Sequence, residues 1–113
     1  MLIDKLKRRL GNQISAFEDP DLLEFIETAE SEYSLVEGKH DGLIVGLALC
    51  TCYLRLATDS ATFFKYQQAT ESVDKTMTPK MFMKMHEFLW ESVKERLPSK
   101  VDTFQLQKED DDE

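Results

Sequence analysis

Apolar residues recur at steps of three and four along most of the chain, the spacing of helices that bury one side. Ile3, Leu6, Leu10, Ile14 and Phe17 form the first such stripe, interrupted by Gly11. A glycine inside a helix costs about 1 kcal/mol relative to alanine, and Gly11-Asn12 also suits a helix C-cap. Two forms are therefore expected: a helix that runs on, or a short helix followed by a loop. Asp19-Pro20 opens a second helix, with Asp19 as cap and proline in the first turn. Leu22, Phe25, Ile26, Ala29 and Tyr33 mark its inner face, and Gly38 is expected to end it. The third segment, Leu43 to Leu54, is apolar on every side apart from Thr51. A helix tolerates that only when other elements surround it. Its length and its Leu and Ala content favour a central helix over a buried strand, and Gly46 and Ala48 leave room for a close neighbour.

Beyond Asp59 and Ser60 the pattern blurs. Ala61 to Tyr66 would extend a helix, but Gln67 to Thr76 is polar, and the spacing predicts an extended arm running into the last helix. Thr78-Pro79 repeats the cap-and-proline signal, and Phe82, Met85, Leu89, Val93 and Leu97 form the stripe of that helix, which Pro98 stops. Phe88 and Trp90 fall off the stripe, so this helix is expected to carry a second apolar face or to meet a partner. The expected fold is mainly α: a small bundle of about four helices, an extended arm before the last helix and an extended C-terminal tail. Residues 1–98 form the domain, and residues 99–113 an acidic tail that is extended or docked on a partner.

A length of 113 residues suits one domain. The 14 basic and 22 acidic side chains leave a net charge of -8, the wrong sign for a protein whose main work is to neutralise phosphates. Lys108 to Glu113 contributes one positive and five negative charges, a run that solvation alone would explain. Val101, Phe104 and Leu106 just before it are spaced like a docking peptide, which a purely solubilising tail does not need. Lys5, Lys7, Arg8 and Arg9 concentrate positive charge on the first helix, either as a solvated face or as contact with an acidic partner. The first residues alternate charge with apolar side chains instead of forming a secretory signal, and the longest apolar run falls short of the roughly 20 residues that span a bilayer. A cytoplasmic location without membrane contact is expected.

Chemistry-bearing patterns are sparse. Glu24-x-x-Glu27 and Glu71-x-x-Asp74 resemble the paired carboxylates with which all-helical nucleotide pyrophosphohydrolases hold magnesium, but they stand too far apart in sequence. Glu37-x-x-His40 has the spacing of di-iron carboxylate bundles without a second copy. His86 lacks the second histidine of a zinc-protease helix. Cys50 and Cys52 point to opposite sides of a helix, with no second cysteine pair to complete a zinc site, and are expected to be reduced core residues. No enzyme, metal or cofactor is expected.

The order of parts says more than any single motif. Leu2 to Asn12 leads to Asp21 to Tyr33, then to the apolar helix, Phe64-Lys65-Tyr66, Ser72-Val73-Asp74-Lys75-Thr76-Met77-Thr78-Pro79-Lys80 and the amphipathic helix. This order, over roughly residues 2 to 97, resembles the head-to-tail connector, or head-completion adaptor, proteins of tailed bacteriophages. The resemblance implies a structural virion protein that forms a ring, of twelve copies in such families, beneath the portal. The ring extends the DNA channel towards a tail or stopper protein at the virion neck, after assembly in the host cytoplasm. Val101, Phe104 and Leu106 would dock on the portal, and the arm with Tyr66, Val73, Asp74 and Lys75 would reach a neighbouring copy or the next ring. DNA would pass without specific binding, consistent with an acidic lining. A different class of function, a small acidic inhibitor that mimics DNA in the cleft of a nucleic-acid enzyme, would use the carboxylates of Asp21 to Glu32.

Overall fold

A computed structural model describes residues 1–69 and 77–97. It shows a mainly helical bundle with five α-helices and no strand among the described residues. α1 (Leu2–Leu10) buries Leu2, Leu6 and Leu10, one residue per turn. The α-helix stops where Gly11 takes a positive φ of 58°, which glycine adopts without steric cost, and a 3-10 helix (Gly11–Ala16) continues the chain. Neither expected form is complete: the stripe persists to Phe17, but across a change of helix type.

α2 (Asp19–Tyr33) begins one residue earlier than expected, with Glu18 rather than Asp19 as N-cap. The Glu18 amide donates to the Asp21 carboxylate at 3.0 Å, half of a capping box. The helix ends at Ser34 in the left-handed region (φ 55°), not at Gly38, and the Leu35 amide turns back to donate to the Glu30 carbonyl at 3.0 Å. Burial of Leu35 secures that ending. Gly38 serves the next turn instead, with a φ of 93°. There the Gly38 amide donates to Asp41 at 2.6 Å and the Val36 amide donates to His40 Nδ1 at 3.0 Å. His40 is thus engaged in holding the turn.

α3 (Asp41–Thr58) is the central helix, with nine residues from Ile44 to Leu56 buried. By length and composition it could cross a membrane, with a mean hydropathy of 1.4, yet in this fold α1, α2, α4 and α5 all pack against it. Its longest seam is with α5 (Pro79–Lys94). A Cβ on Gly46 would stand 3.1 Å from Val93 Cγ2, so glycine sets how closely the two helices approach. Thr78 caps α5 by accepting from the Met81 amide at 3.3 Å, with Pro79 in the first turn. Phe82, Val93 and Leu97 of the stripe are buried, and Met85 and Leu89 are half-buried.

The start of the expected arm is the main departure, and residues 70–76 of it lie outside the described residues. Ser60–Ala69 forms a further helix, α4, giving five α-helices rather than about four. Asp59 breaks it from α3, accepting the Thr62 hydroxyl at 2.5 Å, while the Phe63 amide donates to the Asp59 carbonyl at 3.1 Å. Thr62 and Tyr66, four residues apart, turn inward together. Tyr66 is therefore 3% exposed in the core, not on an extended arm reaching another copy.

Candidate interaction surfaces

α1 has two unlike flanks. At about 100° per residue, the buried row of Leu2, Leu6 and Leu10 leaves Ile3 and Lys7 on one side and Lys5 and Arg9 on the other, with Arg8 outward. Lys7 Nζ lies 2.9 Å from the Asp19 carboxylate, tying α1 to the start of α2. Lys5 Nζ lies 3.3 Å from Asp41. The Gly38 amide, with Lys5 beside it, holds the Asp41 carboxyl below its usual range. The four cations expected to act together are thus divided: two tie helices together, and Arg8 and Arg9 make no ion pair among the described residues. With Lys5, Asp41, Gly42 and Val45 they line a cleft of about 340 Å³ between α1 and α3.

On the opposite flank, Ile3, Leu23 and Ile26 form the apolar lining of a groove of about 170 Å³, edged by Glu27, Glu30 and Glu37. Leu23 is 43% exposed there. α2 thus presents Glu27 and Glu30 beside apolar surface.

A third cleft, about 240 Å³, lies where α2, α3 and α5 meet, lined by Phe25, Tyr33, Cys50, Thr51, His86 and Trp90 among others. His86 Nδ1 lies 3.0 Å from the Cys50 carbonyl; because a carbonyl only accepts, that nitrogen carries the proton. Burial pushes the Cys50 thiol up to about 11 and Cys52 up to about 12, so both stay protonated at neutral pH. No group of three or more potential metal-ligating side chains gathers among the described residues.

Large apolar side chains also face solvent on α4 and α5. Phe88 is 82% exposed, Phe64 59% and Met81 41%. The off-stripe position of Phe88 signalled this, whereas Trp90 turns into the third cleft. Phe64 gave no separate signal, because the segment around it reads equally well as helix or arm. Val73, Asp74, Lys75, Val101, Phe104 and Leu106 lie outside the described residues. No protein-family model, curated protein or solved structure matches the chain.

Proposed function

We propose that this chain is a structural assembly protein, a head-to-tail connector of a tailed phage that forms a ring below the portal and carries the DNA channel towards the tail. The observation that supports it most is the outward Phe88 beside an otherwise closed core. A Phe at 82% exposure leaves apolar surface in water that a partner would cover, and Phe64 and Met81 add to it. The order of sequence features supplies the rest. In this role Val101, Phe104 and Leu106 dock on the portal, and Val73, Asp74 and Lys75 meet a neighbouring copy or the next ring. The tail or stopper protein binds below, and DNA passes without specific contact, since net negative charge opposes phosphate binding. The protein works by contact rather than catalysis, first in the host cytoplasm and then at the virion neck.

The test is the mass in solution together with negative-stain imaging, alone and with portal rings. Rings, or binding to the portal, are expected, and Phe104→Ala with Leu106→Ala should weaken portal attachment while helix content is kept. A strict monomer that ignores the portal would overturn the proposal. If that monomer instead bound a nuclease and lost it progressively with salt, the DNA-mimic alternative would take its place.

A further inference from the structure

The two flanks of α1 are complementary in charge and face apart. One holds Arg8 and Arg9, without an ion pair among the described residues, beside a cleft between α1 and α3. The other holds Glu27 and Glu37, equally without an ion pair there, around an apolar groove between α1 and α2. Two identical basic flanks would repel each other, and so would two acidic ones, so a symmetric face-to-face dimer through either is disfavoured. A basic flank on an acidic flank is attractive, and because the two patches differ, each copy keeps one of each free for a further neighbour. Repetition of such a head-to-tail contact closes into a ring when the rotation allows.

We propose that copies of this chain join through these flanks, Arg8 and Arg9 of one copy meeting Glu27 and Glu37 of the next. The inference rests on the ring-forming role above and names the contact that builds the ring. A guanidinium donates two parallel hydrogen bonds to a carboxylate, which fixes orientation as well as attraction. The groove adds Leu23 and Ile3 as apolar surface to cover. With a net charge of -8, copies repel at long range, so a local basic patch decides which faces meet.

Charge reversal tests this on the full chain. Arg8→Glu with Arg9→Glu, and separately Glu27→Lys with Glu37→Lys, place the changes at exposed positions, and circular dichroism checks that each variant folds. By sedimentation at low salt, each variant alone should associate at least about tenfold more weakly than the parent. An equal mixture should assemble again, because the reversed cleft of one variant matches the reversed flank of the other. The milder Arg8→Gln with Arg9→Gln should fall between. If both reversed variants assemble like the parent, or if mixing restores nothing, this contact is overturned and the ring-forming role stands without it. If the parent itself never assembles, alone or on a portal, that role falls as well. Binding of duplex DNA that Arg8→Glu with Arg9→Glu abolishes, with self-association intact, would assign the basic flank to phosphate and overturn the contact too.

Discussion

Two cores of different kinds share this small bundle. The larger is mainly aliphatic and draws on α1, α2, α3 and α5, from Leu2, Leu6 and Leu10 through Ile26 and Ile44 to Val93 and Leu97. The smaller joins Ala16, Leu56, Tyr66 and Phe82, with Tyr53 and Phe63 against them. In the smaller one Phe82 is the hub: its ring centre lies 5.4 Å from that of Tyr66, 6.2 Å from Phe63 and 6.3 Å from Tyr53. The aliphatic core spreads its contacts over many side chains, so no single one is decisive. The aromatic cluster places most of its contacts on one ring, and α4 depends on it.

The largest expected effect is therefore Phe82→Ala, about 3–5 kcal/mol of lost stability with α4 opening first. Hydrogen exchange should show amides of Ser60–Ala69 exchanging well before those of α1; simultaneous loss would mean that the two cores open as one. Gly46→Val attacks the aliphatic core where Val93 leaves no room, and a cost of about 1–3 kcal/mol is expected in thermal or urea unfolding. Thr78→Ala removes the α5 cap next to Phe82 and should cost about 1 kcal/mol, with protection lost first at the Met81 and Phe82 amides.

Asp59 sharpens the contrast by pH. The Thr62 hydroxyl, followed by the Ala61 amide, holds its carboxyl below the usual range. A depressed folded value stabilises above the unfolded value of about 3.9 and is lost as pH falls through the folded value. Protection of α4 should therefore weaken in acid below about pH 4, and Asp59→Asn should flatten that dependence. Phe88→Ala, outside both cores, should change stability by less than about 0.5 kcal/mol while weakening association.

The sequence showed α2, α3 and α5 because each carries a long pattern with a clear start. Pro20 and Pro79 stand in first turns, and α3 carries the apolar run from Leu43 to Leu54. It hid α4, whose ten residues mix inward Thr62 and Tyr66 with outward Phe64 and Lys65, and whose inner face is defined only once Leu56 and Phe82 are beside it. The end of α2 was misplaced because Ser34, not a glycine, adopts the left-handed turn. The surfaces were legible as charge but not as geometry. Lys5, Lys7, Arg8 and Arg9 are neighbours in sequence, yet Asp19 and Asp41, from distant segments, claim two of them and leave the other two without an ion pair among the described residues.

The seam between α3 and α5 also sets a timetable. During synthesis the most apolar helix, α3, emerges before the helix it packs against most extensively, which is complete only at Lys94, roughly 36 residues after Thr58. At elongation rates of about 5–20 residues per second, α3 waits for about 2–7 s with one side uncovered. Until α5 is made, α1 and α2, joined by α4 once Ala69 is out, are the helices that cover it, so the N-terminal half acts as a temporary chaperone for the middle of its own chain.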